Sequence, residues 1–396
     1  MLVEPGTFSK SPANWGLPDS LMATAGKGAR IRLNDGFWYL DLTSSLGQNL
    51  FGYDVKFLEY VAGRVMFGSS FTLPHEYESR VAVKLASILK ERVPGWKDEK
   101  IGVRFGSSGS DATLAAIRVA RAFTKRMPIL TFKDHYHGWG EPFIGRTEPA
   151  HGCRTDYGIY QHTWGEPLDK YPDGFFAAII FEQPGETPSR DWVRTLKRYC
   201  AKNDTLLIAD EVVTGLRYGL GGASEFFGYH PDLVCMGKAL ANGYRLSALV
   251  GKYVIMAMFT GNSPVFWSST SNGNALELAA CDWVLSHYTL KECEKLWRLG
   301  SKLQKGLEDL GYKTSGHPVR FVVEHKSEIH KAYFIKRMFD QTILFNRPVM
   351  PNLAMEDDDI DWVLAAALHI KEENLSLSEL RKAAGTLPRV LFRSAR

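Results

Sequence analysis

The sequence predicts an α/β protein with a mostly parallel central sheet, helices on both sheet faces and a second, smaller α/β domain. From about residue 100, short apolar runs alternate with loops and with segments of helical periodicity. Strands and helices that alternate in this way form parallel sheets covered on both faces. The chain also has 396 residues, which is too many for one ordinary core.

Composition and charge are those of an ordinary globular protein. Hydrophobic residues make up 45% of the chain and charged residues 23%. The net charge of +4 is too small for a nucleic-acid footprint, although it does not exclude a polyanionic substrate. The longest apolar region, 246–260, is interrupted by Gly251 and Lys252 and is too short to cross a membrane. The first residues, Met1-Leu-Val-Glu-Pro-Gly, do not have the pattern of a signal peptide.

The cysteines indicate the redox environment. There are five, at positions 153, 200, 235, 281 and 293, and they contain no C-x-x-C pair. An odd and scattered set predicts reduced thiols and a cytoplasmic location rather than a disulfide framework.

The N-terminal part is expected to contribute to the smaller domain. Residues 1–30 are rich in Gly, Pro and Ser and are expected to form an arm or irregular cap. A β-hairpin follows, because Asp35-Gly36 lies between the alternating apolar runs 30–33 and 37–42. Residues 44–49 read as a polar turn, and 76–92 as a helix.

The central part contains the alternating elements. Strands are predicted at 101–105, 128–132, 177–181, 205–209 and 233–236, and helices from Asp111 to Ala122 and over 190–202. Helices over 275–287 and 290–310 open the C-terminal part. The predicted domains are therefore 1–48, an N-terminal arm and hairpin of the small domain; 49–274, the large domain; and 275–396, the rest of the small domain.

The loop Gly106-Ser-Ser-Gly-Ser-Asp111 lies between a predicted strand and a predicted helix. Its small residues let backbone N–H groups approach an anion, and the helix N-terminus adds a favourable dipole. A plain helix cap with Ser110 as N-cap explains the same residues without a ligand. The loop is neither a P-loop nor G-x-G-x-x-G, so a nucleotide site is poorly supported.

Tyr136-His-Gly-Trp139 follows the strand that ends at Phe132. An aromatic ring at a strand exit can stack on a flat cofactor. With His135, His151 and Cys153 nearby, a metal site is an alternative, but the spacing fits no standard zinc pattern. Aromatic core packing is the third interpretation.

Asp210 and Lys238 each stand at the exit of a buried strand. A buried aspartate needs a partner, for which a protonated pyridine nitrogen or Arg217 would serve. A lysine in a desolvated site can form an imine, whereas most lysines are solvated at the surface. Pyridoxal phosphate needs an anion cradle, a stacking ring, an acid for its ring nitrogen and an imine-forming lysine, and all four groups occur in this order.

These motifs together resemble those of the fold-type I, class III aminotransferases, and within them most closely the aminomutases. The similarity runs from about Arg30 to Asp361 and is carried by five segments. They are Phe105-Gly-Ser-Ser-Gly-Ser-Asp-Ala-Thr113, Tyr136-His-Gly138, Asp210-Glu-Val-Val-Thr-Gly-Leu-Arg217, Pro231-Asp-Leu-Val-Cys-Met-Gly-Lys238 and Ser269-Thr-Ser-Asn-Gly-Asn274. The resemblance implies pyridoxal 5'-phosphate as cofactor.

The resemblance also implies roles for individual residues. Lys238 falls on the Schiff-base lysine of the family, Asp210 on the aspartate that binds the pyridine nitrogen, and Val212 on the residue that packs on one ring face. The other implied cofactor residues are Ser108, Gly109 and Ser110 at the phosphate, Tyr136 stacking on the ring, and His137 and Glu182 close by. Thr270 falls on a threonine that reaches the phosphate of a partner subunit, which implies a two-fold homodimer with shared active sites.

Departures from the family pattern concern the substrate. Where the aminomutases have a carboxylate-binding arginine, this chain has Asn14. Leu46 stands in place of a tryptophan after Ser45, Arg245 in place of a proline, and the segment 139–161 is shorter than the lid region of the family. We therefore expect Asn14, Ser45, Leu46 and Arg245 to lie where the substrate is chosen, although the Arg245 and lid changes are equally well explained as loop variation.

The predicted function is that of a pyridoxal-phosphate-dependent enzyme acting at the α-carbon of an amine or amino acid. Amino transfer or 1,2-amino migration through Lys238 is the leading reaction. Decarboxylation or racemisation is the alternative, with a bulky or nucleic-acid-linked amine as a further possible substrate. A non-catalytic binding protein of this fold is disfavoured because every main cofactor group is present.

Overall fold

A computed structural model of the chain describes residues 12, 16–18, 20–144, 158–183, 185, 188–262, 264–346, 348–373 and 375–385. The chain forms two compact units. The smaller combines Met1–Leu58 with Glu294–Arg396, and the larger is Glu59–Cys293.

The secondary structure contains thirteen strands and thirteen helices over the described residues. The strands are β1 (Ala23–Lys27), β2 (Arg30–Leu33), β3 (Trp38–Asp41), β4 (Ile101–Gly106), β5 (Ile129–Phe132), β6 (Ile159–His162), β7 (Ala178–Glu182), β8 (Leu206–Glu211), β9 (Leu233–Met236), β10 (Ser247–Lys252), β11 (Lys313–His317), β12 (Arg320–Glu324) and β13 (Ile343–Leu344). The helices are α1 (Ser44–Gly47), α2 (Val55–Val65), α3 (Glu76–Arg92), α4 (Gly109–Thr124), α5 (Glu141–Ile144), α6 (Arg190–Asn203), α7 (Gly222–Phe227), α8 (Tyr253–Met256), α9 (Ala275–His287), α10 (Leu290–Asp309), α11 (Glu328–Asp340), α12 (Asp357–Glu372) and α13 (Leu377–Ala384).

The larger unit is built on a seven-stranded sheet of order β4-β10-β9-β8-β7-β5-β6. Strands β5 to β9 pair in parallel with their neighbours, whereas β10 is antiparallel to both β4 and β9. All strands except β10 therefore point the same way, and the sheet is mostly parallel as predicted. Helix α4 packs its buried alanines on the central strands, because small residues let a helix lie close to a sheet. The carboxyl ends of six strands meet at one edge, where ligands bind in such sheets.

The smaller unit holds a four-stranded sheet of order β1-β2-β3-β13. Strands β2 and β3 form the predicted hairpin, with Arg32 opposite Trp38. Strand β1 lies within residues 1–30, where we expected irregular structure, and pairs antiparallel with β2. A separate core of buried side chains from α10, α11 and α12 packs on this sheet and includes Leu303, Met338 and Val363.

The two units begin and end at different residues from the predicted domains. The predicted boundaries follow residues 48 and 274, whereas the compact units divide after Leu58 and Cys293, inside α2 and α10. Helix α9 consequently belongs to the larger unit, where Lys84 of α3 donates a hydrogen bond to Asp282 of α9 over 2.5 Å. Sequence periodicity reveals such a helix but not the surface against which it packs.

Most predicted elements are confirmed to within one or two residues, with α3 at the predicted bounds. The predicted strand ends at Glu182 and Asp210 are confirmed to within one residue, because Glu182 is the last residue of β7 and Asp210 the last but one of β8. No helix of the described ranges is both long and apolar enough to cross a membrane.

Candidate active site

The candidate site lies at the carboxyl ends of the strands in the larger unit. Val212 follows β8, Lys238 follows β9, and the loop 106–109 joins β4 to α4. Their backbones converge: a Cβ built on Gly237 would lie 3.4 Å from Val212 Cγ1 and 3.7 Å from Gly109 Cα. Residues about 130 positions apart in sequence are thus neighbours, as the predicted cofactor site requires.

The loop before α4 is the segment that could form an anion cradle. The N-cap of α4 is Ser108, whose hydroxyl accepts a hydrogen bond from Asp111 N, while Asp111 Oδ2 accepts one from Ser107 N over 3.1 Å. Our alternative interpretation of Ser110 as N-cap is wrong, because its hydroxyl instead accepts a hydrogen bond from Trp139 N at 3.3 Å. The helix N-terminus carries positive partial charge, which favours a phosphate.

Gly109 shows why the cradle needs a glycine. A Cβ at this position would lie 2.6 Å from Val212 Cγ1, well inside van der Waals contact. Any larger residue would push the loop away from the strand end that carries Asp210. The close approach of backbone and valine therefore depends on the missing side chain.

Hydrogen bonds hold the segment Tyr136 to Trp139 against α4 and β7. Thr113 Oγ1 donates a hydrogen bond to His137 O over 2.6 Å, and Tyr136 N donates one to Glu182 Oε2 over 3.1 Å. Glu182 is buried, so this bond satisfies part of its carboxylate. Tyr136 itself is 37% exposed, and a partly exposed tyrosine ring can stack on a flat ligand.

Asp210 is buried and accepts two hydrogen bonds. Oδ2 lies 2.7 Å from His137 Nδ1, and Oδ1 accepts from Val212 N over 3.1 Å. The other imidazole nitrogen, Nε2, lies 2.9 Å from Thr131 Oγ1. The alternative partner that we considered, Arg217, does not contact Asp210 within the described structure. His137 therefore orients the carboxylate, and Thr131 orients His137.

Glu211, the residue after Asp210, has a structural role rather than a role in ligand binding. Its buried carboxylate accepts hydrogen bonds from the backbone N–H groups of Ala223 and Ser224, at 2.9 and 2.7 Å, and from the hydroxyls of Thr214 and Ser224. Burial raises the pKa of Glu211, against the opposing effect of these bonds. The side chain ties α7 to β8 and is not available to a ligand.

Lys238 begins a short 3-10 turn, Lys238–Ala241, directly after β9. Its φ is 44°, in the left-handed region that costs an L-residue roughly 1–2 kcal/mol. Gly237 before it is fully extended. Backbone strain of this kind is common at functional positions. The left-handed residue turns the chain after β9, next to Gly109 and Val212.

Two further predicted residues of the larger unit lie on exposed loops. Thr270 is exposed, and its loop is connected to the anion cradle because Ser107 Oγ donates to Asn272 Oδ1 over 3.1 Å. Arg245, seven residues after Lys238, is exposed and has no hydrogen-bond or ion-pair partner in the part of the chain that the structure describes.

The predicted substrate residues Ser45 and Leu46 belong to the smaller unit, and Asn14 lies outside the described residues. Ser44, Ser45 and Leu46 have φ values of 47°, 53° and 59°, so α1 is a left-handed turn rather than an ordinary helix. The predicted polar turn is therefore present, but with a backbone that its sequence does not reveal. Asp41 and Asn352 hold it: Ser45 N donates to Asp41 Oδ2, and Asn352 Nδ2 donates to Ser44 Oγ.

Thr131 is a site residue that the sequence does not predict, and His135 is predicted only as part of the alternative metal site. Thr131 contacts His137, and His135 Nδ1 accepts a hydrogen bond from Glu182 N over 3.2 Å. The polar Thr131 within an otherwise apolar strand was the available signal. For the alternative metal site, His151 and Cys153 lie outside the described residues, and the described residues themselves contain no cluster of metal-ligating groups.

The donor set fits pyridoxal 5'-phosphate. The loop before α4 could hold a phosphate, the buried and oriented carboxylate of Asp210 could pair with a protonated ring nitrogen, and the ring of Tyr136 could stack on the cofactor. Lys238 directly follows β9, at the same edge of the sheet.

Comparison with solved structures places the fold among the pyridoxal-phosphate-dependent transaminases. An omega-transaminase from Sphaerobacter thermophilus superposes with a TM-score of 0.80, covering 89% of this chain and 91% of that one at 23% identity. A beta-phenylalanine aminotransferase from Variovorax paradoxus superposes with a TM-score of 0.75, over 93% and 89% of the two chains at 21% identity. These likenesses show that the chain has the fold of the transaminases, and the residues of the candidate site fit the cofactor that such a fold would hold.

Sequence comparison then identifies the family. Residues 13–370 match the family model "Aminotransferase class-III". A glutamate-1-semialdehyde 2,1-aminomutase 2 from Shouchella clausii is 33% identical over 305 residues, 71% of this chain and 69% of that protein. The corresponding aminomutase of Legionella pneumophila is 32% identical over 295 residues, 69% of this chain and 66% of that protein. The chain belongs to the class III aminotransferase family.

This membership confirms the predicted family, fold class and cofactor. The protein is an enzyme that uses pyridoxal 5'-phosphate, and its family supports amino transfer or 1,2-amino migration.

Proposed function

We propose that this enzyme moves an amino group, either between two small substrates or between neighbouring carbons of one, with Lys238 as the cofactor-holding residue and proton carrier. The observation that carries this proposal is the convergence of Gly109, Val212 and Gly237 at the ends of three chain segments. It gives one place where a phosphate cradle, a buried acid and a lysine can act on a single small molecule.

Each residue would have a distinct task. When bound, the cofactor supplies an electron-withdrawing ring that stabilises negative charge at the substrate carbon. Asp210 would hold the ring nitrogen, and Val212 and Tyr136 would pack on the ring faces. Ser108, Gly109 and Ser110 would bind the phosphate at the N-terminus of α4, and Lys238 Nζ would move the proton at the substrate carbon.

We also propose a homodimer with shared active sites. Met66, Phe67 and Leu73 are 85%, 72% and 76% exposed, although large apolar side chains at this density are uncommon on a free surface. Ser70 Oγ donates to Asn274 Oδ1, so this apolar segment is joined to the loop that carries Thr270. In a two-fold dimer, burial of the segment would bring Thr270 of each subunit to the phosphate of the other.

The substrate is proposed to be a small amine or amino acid. Ser45 and Leu46 would line its site, and the unpartnered Arg245 would bind an anionic group on it. Asn14, which replaces an arginine of the aminomutases, is proposed to remove their carboxylate contact.

For location we propose the cytoplasm, because Cys200, Cys235, Cys281 and Cys293 are all free and buried.

Two measurements test the proposed function. Borohydride should fix the yellow cofactor onto the peptide that contains Lys238, and attachment elsewhere would refute the lysine assignment. Candidate amines are then incubated with the holoenzyme, with and without a keto acid, and the products are weighed by mass spectrometry. Loss of the amine with a retained carboxylate means transfer, and an unchanged mass with the amine on a neighbouring carbon means migration. Loss of carbon dioxide, or formation of the enantiomer alone, would overturn both.

A further inference from the structure

A cavity of about 400 Å³ in the larger unit lies at the edge of the seven-stranded sheet opposite the candidate active site. Its lining includes Leu206 at the start of β8, Asp232 just before β9 and Lys252 at the end of the antiparallel β10. The carboxyl end of β8 is roughly 15–20 Å away, because each strand residue spans about 3.3 Å. Small-molecule sites have volumes of about 300–1,000 Å³. The cavity is thus large enough for a ligand and separate from the site that we assign to the cofactor.

Two lysines and a histidine line this cavity. Lys197 of α6 reaches His230, with Nζ 3.3 Å from Nε2. A lysine ammonium can only donate, so Nε2 accepts this hydrogen bond and the imidazole is neutral. The second lysine, Lys252, is paired with Asp232, with Nζ 2.8 Å from Oδ1. Asp232 also accepts a hydrogen bond from Leu207 N over 2.9 Å, so groups within the fold already satisfy its carboxylate.

The positive charge around His230 is not compensated. Neither Lys197 nor His230 forms an ion pair within the described residues, and Asp204, the other carboxylate of the lining, contacts neither of them there. Burial, together with the charges of Lys197 and Lys252, lowers the pKa of His230. A proton on Nε2 would point at the lysine ammonium. An anion bound to both nitrogens would remove this repulsion.

Much of the remaining wall is apolar and fixed in place. Trp96 is fully buried, and its Nε1 donates a hydrogen bond to Pro231 O over 2.7 Å. Gly95 packs closely on the imidazole, because a Cβ built there would lie 3.0 Å from His230 Nδ1. Phe123 of α4 also lines the cavity and is 37% exposed. A ligand in the cavity would therefore meet hydrocarbon as well as the positive pair.

These properties favour a doubly charged anion with an apolar body. A phosphate monoester carries a charge of about −1.5 to −2 at neutral pH and has three acceptor oxygens. It can accept hydrogen bonds from Lys197 Nζ and from a protonated His230 Nε2 at the same time, and bonds between such charged groups are strong. A carboxylate carries a single charge and would balance only one of the two cations.

We propose that this cavity is an anion site that binds a small organic phosphate between Lys197 Nζ and His230 Nε2, with the organic part of the ligand against Phe123. The inference goes beyond the proposed function and does not depend on it, because no residue of this site belongs to the cofactor site. Since the unfolded chain lacks the cavity, the bound ligand would also stabilise the fold.

The first experiment titrates phenyl phosphate into the holoenzyme at constant ionic strength and measures binding by calorimetry. Binding should be saturable and about tenfold tighter than that of inorganic phosphate, since burial of a phenyl ring contributes about that factor. Benzoate has the same ring with one charge and should bind more weakly. The visible absorbance of the cofactor is recorded in parallel. No saturable binding, equal binding of benzoate, or binding that releases the cofactor would overturn the proposal.

Three variants assign the binding to this cavity. Lys197→Gln, at an exposed position of α6, removes one donor and should weaken phenyl phosphate binding about tenfold to a hundredfold. Lys202→Gln changes another exposed lysine of the same helix and is the matched control, with unchanged affinity expected. Phe123→Ser should weaken phenyl phosphate more than inorganic phosphate. Wild-type affinity in Lys197→Gln would refute the assignment.

His230 provides a readout that a purely structural role would not change. The ring signals of 13C-labelled histidines are followed by NMR as the pH of the holoenzyme is varied, with and without saturating phenyl phosphate. His230→Gln identifies the signal of His230. A bound dianion favours the protonated imidazole, so the pKa of His230 should rise by about 1 or more, whereas that of the exposed His369 should not change. An unchanged pKa of His230 would overturn the proposed position of the phosphate.

Discussion

Nδ1 of His137 lies 2.7 Å from Oδ2 of Asp210, and both side chains are buried in the larger unit. A carboxylate can only accept, so the imidazole donates from Nδ1, and Nε2 faces the hydroxyl of Thr131. The acid proposed for the cofactor ring is thereby held in one orientation by a side chain that itself has a fixed partner. His137 is a positioning residue in this arrangement.

Replacing His137 should weaken cofactor binding without unfolding the protein. His137→Leu leaves the Asp210 carboxylate short of a donor, which costs about 1–3 kcal/mol, or roughly tenfold to a hundredfold in cofactor affinity. His137→Asn should restore much of the affinity because its amide nitrogen can take the place of Nδ1. Cofactor dissociation constants and the pH dependence of the visible spectrum are measured. Identical values for the Leu and Asn variants would argue for a packing role only.

Lys238→Ala should retain bound cofactor but lose turnover. Removal of the proton carrier is expected to lower the rate about 100- to 10,000-fold. Lys202→Ala, which removes an exposed lysine paired with Asp173, is the control and should keep full activity. The rate is followed with the amine identified by product mass. Activity in Lys238→Ala within a few-fold of the wild type would contradict the assignment.

Gly109→Ala should destabilise the protein by about 1–3 kcal/mol, because its new Cβ would meet Val212 Cγ1. The second substitution Val212→Ala removes that atom and should recover most of the loss, which shows that the two sites are coupled. Thermal unfolding of the apoprotein measures both effects. Additive losses in the double variant would mean that Gly109 and Val212 are not in contact.

His230 should make stability depend on pH. Burial, together with the charges of Lys197 and Lys252, lowers the pKa of His230 below its ordinary value of 6.5, while Asp232 pairs with Lys252. The folded state then binds fewer protons than the unfolded state, so this contribution to stability is present above pH 6.5 and is lost as the pH falls through the lowered pKa. His230→Gln should therefore flatten the decline in unfolding free energy on acidification. His369→Gln is the control: this side chain is exposed and lies 3.6 Å from Glu373, and its replacement should change the curve less than His230→Gln does.

Phe67→Asp should dissociate the proposed dimer. A charge in the centre of a buried apolar patch opposes association, so the sedimentation mass should fall to that of one chain. Cofactor affinity should fall with it if Thr270 acts across the interface. Phe37→Asp changes a similarly exposed phenylalanine in the β2–β3 turn and should leave the mass as it is. A wild-type protein that sediments as a monomer would contradict the proposal.

The sequence predicts the secondary-structure elements well, but it predicts the side-chain contacts less well. Helix α3 and the β2–β3 hairpin follow from periodicity and from Asp35-Gly36, which are local properties of the chain. The sequence offers Ser110 as an alternative N-cap of α4, whereas the structure uses Ser108. The three serines of that loop are alike in sequence until a hydrogen-bond partner distinguishes them. The hydroxyl of Ser110 instead accepts a hydrogen bond from the backbone N–H of Trp139, which lies in another loop.

The sequence by itself determined the order of elements, the family and the cofactor, since each depends on residue types at fixed short spacings. Only the tertiary structure decided that Asp210 pairs with His137 rather than Arg217, that Glu211 ties α7 to β8, and that Ser45 and Leu46 lie on a left-handed turn. These outcomes depend on which distant groups compete for one buried donor or acceptor. Such competition is resolved by three-dimensional packing, which local spacing does not encode.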